Sequence, residues 1–239
     1  MLYKEVIPHP VLAPYIDAYW SVQGAGQEMT VNKILPDGCV DIIFNPGEEV
    51  GDMKSGKAYL IGAMTTPIES HVSPETRLLG IRFKPAAFWA FYTFSSLHEI
   101  TDDSVECEKG LAPELQGQMT IPIEVLNKFF LDKLSRPKHA LFPLLQDIRM
   151  HRGQIRVEEL AKRHFITVRQ MERNFRYYIG ISPKEFVNQE RFRYTLQRVH
   201  HRQPGEILSD IASECGYYDH SHLVQEIKRY TGEAPSGLA

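Results

Sequence analysis

Hydrophobic and polar residues follow different patterns in the two halves of the chain, and the change falls near residue 140. The first 85 residues carry short apolar runs bounded by Pro, Gly, Asn and Asp, which is typical of β-strands separated by turns. Three runs predict strands at 39–45, 58–63 and 77–84. After these, the apolar spacing predicts a buried helix over 86–94 and an amphipathic helix over 122–134.

The C-terminal half contains an internal repeat. Leu160-Ala161 recurs as Ile211-Ala212 at an offset of 51 residues. Five further positions recur 52 residues later with matched chemistry: Met171 as Leu223, Phe175 as Ile227, Tyr178 as Tyr230, Gly180 as Gly232 and Pro183 as Pro235. A fixed period of this kind indicates a repeated structural unit.

The first repeat, residues 155–180, predicts two short helices joined by a tight turn. Val157–His164 is the first helix, and Thr167 caps the second with Gln170 three residues on. Two helices with a small residue at their crossing are typical of a helix-turn-helix unit, whose second helix enters the DNA major groove. The residues predicted to contact DNA in this unit are Thr167, Val168, Arg169, Gln170, Glu172, Arg173 and Arg176.

The second repeat, residues 207–232, predicts the same unit. Its helices are Leu208–Cys215 and His220–Thr231, with Asp219 as the cap. A long helix over 182–200 connects the two units, with Ser182 as its cap and Glu185 as the capping glutamate. The residues predicted to contact DNA here are His220, Ser221, Val224, Gln225 and Lys228.

Charge divides along the same line. The whole chain carries a net charge of −3, but residues 140–239 hold 15 Lys and Arg against 12 Asp and Glu, a net of +3. Residues 1–139 therefore carry a net of −6. A basic half joined to an acidic half favours a polyanionic partner for the basic half.

Four features of the C-terminal half form one set: the stretch from Ile179 to Pro183, Arg191, Ile211-Ala212 with Cys-Gly-Tyr217, and the stretch from Lys228 to Gly232 with Pro235. Through this set, residues 140–239 resemble the DNA-binding domain of the AraC/XylS family of bacterial regulators. Three departures stand out: Leu223 and Ile227 replace the family's usual phenylalanines, Gln225 replaces an arginine, and Phe165 occupies a turn position that is often glycine.

The N-terminal half resembles, more loosely, the sensor domain of an AraC subgroup. The similar stretches are 35–45, 80–85 and 97–102. The resemblance implies an α+β protein with a β-rich, cupin-like domain and appended helices at 1–139, followed by an all-α domain at 140–239. It also implies a small-molecule effector or subunit pairing in the first domain, and a bacterial regulator that contacts RNA polymerase and associates with the nucleoid when bound to DNA.

An enzyme is the competing hypothesis, in the form of a cupin-like small-molecule-binding or metal domain fused to a DNA-binding module. His71 with Glu75 is the nearest approach to a metal pair, and a loop histidine is the simpler interpretation. Cys39 beside Asp41 suggests a nucleophile, but an apolar strand favours an inert thiol. The sequence has no Gly-rich phosphate loop and no Gly-x-Ser-x-Gly motif, so we expect neither catalysis nor a cofactor.

Three further expectations follow from composition. No apolar run is long enough to span a membrane, and the N-terminus lacks the pattern of a signal peptide. The three scattered cysteines suit a reducing, cytoplasmic location. A protein-interaction module on the same fold is the remaining rival, and it would show no salt-dependent affinity for DNA.

Overall fold

The computed structural model describes residues 1–107, 110–113, 115, 118, 120–135, 139–203 and 205–235. Its strands are β1 (Leu2–Val6), β2 (Ile16–Gln23), β3 (Thr30–Ile34), β4 (Val40–Asn45), β5 (Lys57–Ile61), β6 (Ile68–Val72), β7 (Arg77–Phe83) and β8 (Ser104–Glu106). Its α-helices are α1 (Ile123–Lys133), α2 (Phe142–Met150), α3 (Val157–Arg163), α4 (Val168–Tyr178), α5 (Pro183–His200), α6 (Leu208–Glu214) and α7 (His220–Thr231). The predicted α+β class is confirmed.

The strands form an antiparallel six-stranded sheet in the order β1-β2-β7-β4-β5-β8, with β3 and β6 paired as a separate ribbon. One face of the large sheet packs onto an aromatic core that includes Tyr19, Phe83 and Phe130, all fully buried. On the other face, Gly80 pairs with Trp20 across β2 and β7. A Cβ on Gly80 would lie 2.0 Å from the indole ring, so the indole occupies the space of a side chain.

The prediction of a helix over 86–94 is wrong. The structure has only a three-residue 3₁₀ helix there, Phe88–Ala90, although the segment is buried as predicted. Ala86 adopts a left-handed φ of 63°, which an α-helix cannot contain. The aromatic rings that suggested a helical stripe instead pack in several directions, such as Phe88 stacked on Tyr92 at 4.7 Å.

Two apolar cores organise the C-terminal half, and α5 contributes to both. Phe186 and Val187, near its start, pack with α2, α3 and α4, while Phe192 and Val199 pack with α6 and α7. The connecting helix is therefore part of each unit's core and holds the two units in one arrangement.

Apolar packing continues across the proposed boundary near residue 140. Ala63 and Ala86 belong to the same buried cluster as Phe186, and Tyr178 packs against the core of the N-terminal half. Residues 136–138, just before this boundary, lie outside the described residues. Within the described ranges, no helix combines the length and apolarity needed to cross a bilayer.

Candidate nucleic-acid interface

The first unit is built as the sequence predicts. The Thr167 hydroxyl accepts a hydrogen bond from the Gln170 backbone N–H at 3.1 Å, which starts α4. Met171 and Phe175 are fully buried, and Phe175 meets Phe186 of α5 with ring centroids 5.9 Å apart. Locking one face of α4 into the core leaves the opposite face in solvent.

That solvent face carries the predicted DNA-contacting residues of the first unit. The structure places six of them in the exposed class: Thr167, Val168, Arg169, Gln170, Arg173 and Arg176. Glu172 is half-buried, with its carboxylate 3.9 Å from the Arg176 guanidinium. Among the described residues, neither Arg169 nor Arg173 forms an ion pair or a side-chain hydrogen bond.

The second unit has the same scaffold and a different surface. Asp219 caps α7 by accepting from the His222 N–H at 2.8 Å, and Leu223, Ile227 and Tyr230 are fully buried. Four predicted residues are exposed and Val224 is half-buried; the exposed ones are His220, Ser221, Gln225 and Lys228. Lys228 is therefore the cation that the predicted set places on this face.

The turns of the two units differ by one residue, which explains the change of offset from 51 to 52. In the second unit Gly216 takes a left-handed φ of 74° and Tyr218 is the extra residue before the cap. In the first unit Phe165 takes the corresponding left-handed position with φ of 54°. Phe165 and Tyr218 are 96% and 94% exposed, so each unit presents an aromatic ring beside the start of its recognition helix. The predicted set omitted both rings.

Polar contacts bind α5 to the second unit. The Glu185 carboxylate accepts from the Tyr230 hydroxyl and from Arg229, both at 2.7 Å. This corrects its predicted role, because only the Glu185 backbone N–H takes part in the Ser182 cap. Arg191 lies 3.6 Å from Glu226 and over the Tyr217 ring. Helix α5 has 18 residues, about 27 Å at 1.5 Å per residue, so it acts as a spacer of fixed length.

The N-terminal half packs against the end of the first recognition helix, which sequence reasoning missed. The Gly180 carbonyl accepts from the Thr101 hydroxyl at 2.7 Å and lies 2.9 Å from His98 Nδ1. Trp89 stacks on Tyr177 with centroids 4.8 Å apart. The contact lies at the C-terminal end of α4 and leaves Arg169 and Arg173 open.

Cys39, the nucleophile considered for an enzyme, lies in surroundings that favour its neutral thiol. Burial raises the pKa of the Cys39 thiol well above its ordinary value, and the nearby Asp37 and Asp41 carboxylates raise it further. Burial likewise raises the pKa of Asp41, to about 7, and its carboxylate accepts from the Trp20 indole at 2.6 Å. A neutral thiol is a poor nucleophile. In the described part of the chain, no three His, Cys, Asp or Glu side chains are grouped to hold a metal.

Comparison with protein families assigns the C-terminal half. Residues 160–239 match a helix-turn-helix domain, and residues 4–106 match a domain of unknown function, DUF6597. Residues 160–239 form an AraC-type DNA-binding domain. The resemblance to AraC/XylS regulators is thereby confirmed for this half. No curated protein matches the sequence significantly.

The AraC-type domain and its partner half also have distant structural neighbours. ToxT from Vibrio cholerae is 12% identical over 99% of this chain and 97% of its own, with a TM-score of 0.48. The DNA-binding domain of AdpA, solved with a target DNA, is 22% identical over 42% of this chain and 89% of its own, at 0.37. The C-terminal domain of AraT, a response regulator from Geobacillus stearothermophilus, is 19% identical over 44% and 86%, at 0.39. Likenesses this distant carry no residue roles over to this chain.

Proposed function

We propose that this chain is a transcriptional regulator that reads duplex DNA with α4 and α7 of its AraC-type domain. The observation that carries the proposal is the position of Arg169 and Arg173. They lie about one turn apart near the start of α4, exposed and without an ion-pair partner among the described residues. An arginine can donate two hydrogen bonds to guanine in the major groove, which supplies both affinity and base choice.

The other predicted residues complete the two surfaces in this proposal. Thr167, Val168 and Gln170 lie at the start of α4, where side chains reach base edges, while Glu172 and Arg176 flank the helix. In the second unit, Lys228 contacts phosphate and four residues face the adjacent groove: His220, Ser221, Val224 and Gln225. The spacing by α5 suits two successive major-groove segments about 34 Å apart.

The N-terminal half, proposed as the domain 1–139, controls the AraC-type domain in response to a small-molecule effector or by pairing subunits. Its net charge of −6 opposes contact with DNA phosphates. Its contact with the end of α4 means that a change in this half can act directly on the first recognition helix. We place the protein in the bacterial cytoplasm, on the nucleoid when bound, with RNA polymerase as a further partner.

Salt dependence of DNA binding tests the proposal directly. A genomic fragment recovered by genome-wide binding of the native protein would be titrated at several salt concentrations, beside a scrambled duplex. Neutralised phosphates release counterions, so we expect the logarithm of affinity to fall linearly with the logarithm of salt concentration. Equal affinity for both duplexes would contradict sequence-specific reading, and a flat salt response would identify an interaction module instead.

A double variant provides the control. Arg169→Ala with Arg173→Ala should abolish the preference for the genomic fragment. Lys128→Ala removes an exposed cation of α1, in the half proposed not to contact DNA, and should leave both affinities unchanged.

A further inference from the structure

A cleft of about 430 Å³ lies between the two halves of the molecule. One wall comes from the N-terminal half and includes Arg82, Lys84 and the carboxylates of Asp17 and Asp37. The other comes from α2 and α5 of the AraC-type domain and consists of Arg149, Glu190 and Arg193. The volume lies within the usual range of small-molecule sites.

The wall from the AraC-type domain carries excess positive charge. Arg149 Nε lies 3.1 Å and Arg193 Nη1 lies 3.4 Å from the same oxygen, Glu190 Oε1. One carboxylate thus serves two guanidinium groups, which leaves a net charge of +1. Glu190 is 10% exposed, whereas the side chains of Arg149 and Arg193 are 41% and 50% exposed. Each guanidinium has five N–H donors, so most of them remain available to a ligand.

The opposite wall has no excess of positive charge and offers hydrogen-bond acceptors. Lys84 donates to the Ala13 carbonyl at 2.8 Å and lies 3.9 Å from Asp17. Arg82 bonds Glu5 at 3.0 Å and lies 3.8 Å from Asp37. These cations are already engaged, and the carboxylates between them can accept hydrogen bonds from hydroxyl groups.

We propose that this cleft is an effector site for a small polar acid whose carboxylate or phosphate binds Arg149 and Arg193. The hydroxyl groups of the same molecule donate to Asp17 and Asp37 on the opposite wall. The lining is too polar for a long hydrocarbon chain, because burying these charged groups against apolar surface would leave them unpaired. This inference rests on the proposed function, since it names the effector class and its place.

Binding at this cleft is expected to alter the DNA affinity of both helix-turn-helix units. Glu190 and Arg193 lie on α5, which contributes to the cores of both helix-turn-helix units. A ligand that joins the two walls restrains the N-terminal half against α5. If restraint changes DNA affinity by some factor, DNA changes ligand affinity by the same factor.

Calorimetry on the full chain with three matched probes tests the site. Sorbitol 6-phosphate and gluconate share a polyol body and differ in the acid, while sorbitol is the uncharged control. We expect at least one acid to bind and sorbitol not to bind. A stronger signal from the phosphate or from the carboxylate identifies which acid the site prefers. The proposal would be overturned if neither acid bound more tightly than sorbitol.

Two variants with opposite effects localise the binding. Arg193→Ala should weaken acid binding at least about tenfold, as expected for a lost charge-assisted hydrogen bond. Glu190→Gln should strengthen binding, because it removes the negative charge that both guanidinium groups share. Lys128→Ala should match the wild type, and Arg173→Ala should too, since it removes a cation of the DNA-binding face. Unchanged affinity in both cleft variants would contradict the site.

DNA binding measured on the same preparation separates the two proposals. Salt-dependent DNA binding without acid binding would remove the cleft site and leave the regulator intact. Acid binding at the cleft without any DNA affinity would remove the proposed function itself.

Discussion

The exposed face of α4 presents three arginines, whereas the predicted face of α7 presents one lysine together with His220, Ser221, Val224 and Gln225. Beneath these surfaces the two recognition helices are each capped by a side chain and have nearly the same length, and Met171 and Phe175 of α4 are buried like their counterparts Leu223 and Ile227 of α7. The repeat therefore preserves what holds a recognition helix in place and varies what that helix offers to DNA. We infer unequal tasks, with base discrimination in the first unit and positioning in the second.

The largest expected effect separates the two recognition helices directly. Arg173→Ala should cost about 1–3 kcal/mol of specific binding free energy, because a bidentate contact to guanine is lost. Gln225→Ala, at the matching position of α7, should cost less because its side chain carries no charge. Competition assays with specific and scrambled duplexes measure both. A larger loss from Gln225→Ala would reverse our ranking of the helices.

Uniform loss across all duplexes is the other informative result for Arg173→Ala. In that case the side chain contacts phosphate alone, and the salt slope should fall by about one. The division of tasks between the units would then have to rest on Arg169.

The second comparison uses the equivalent glycines Gly180 and Gly232. Both have left-handed φ angles, 103° and 75°, so alanine at either position should cost about 1 kcal/mol in unfolding free energy. At Gly180 the added Cβ would also lie 3.1 Å from the Leu97 carbonyl oxygen, whereas at Gly232 the nearest atom is the flexible end of Lys33 at 3.7 Å. Gly180→Ala should therefore be the more destabilising, by about another 1 kcal/mol.

Denaturant titration of the two glycine variants measures this difference. Equal losses of unfolding free energy would show that the N-terminal half shifts at little cost where it contacts the first unit. A difference in the expected direction would show that the Leu97 segment does not shift to accommodate the added methyl group at Gly180.

The smallest expected effects come from removing the charge of a glutamate that pairs with an arginine in each unit. Glu185→Gln removes the charge that accepts from Tyr230 and Arg229, and it should cost about 1 kcal/mol of stability. Glu172→Gln is the matched control in the first unit. Its pair with Arg176 is long, at 3.9 Å, and partly exposed, so the loss should be within about 0.5 kcal/mol. Thermal unfolding of both variants provides the measurement, and equal shifts would show that Glu185 is dispensable.

Sequence reasoning succeeded where structure depends on neighbours along the chain. Helix α7 has the predicted bounds, and Thr167, Ser182 and Asp219 cap their helices as predicted, because a cap is a contact over three residues. The strands at β4, β5 and β7 lie within two residues of the predicted runs. Whether the exposed arginines contact DNA stays a prediction.

Sequence reasoning failed where residues distant in the chain meet. The segment after Pro85 has an apolar content that suits a helix, but its rings are placed by contacts with β7 and α1. The cleft could not be predicted from the sequence either. Arg82, Arg149 and Arg193 come from separate elements, and each has the sequence pattern of an ordinary surface charge. The contact of Thr101 with Gly180 is hidden in the same way.

The connecting helix also sets the angular phase of the two readers. Each residue of an α-helix advances the chain by about 1.5 Å and turns it by about 100°. One residue inserted into α5 would barely change the distance between the units, yet it would rotate the second recognition helix by about 100° around the helix axis, away from its groove. Four inserted residues would nearly restore the direction while adding about 6 Å. The length of α5 is thus constrained by rotation more strictly than by reach.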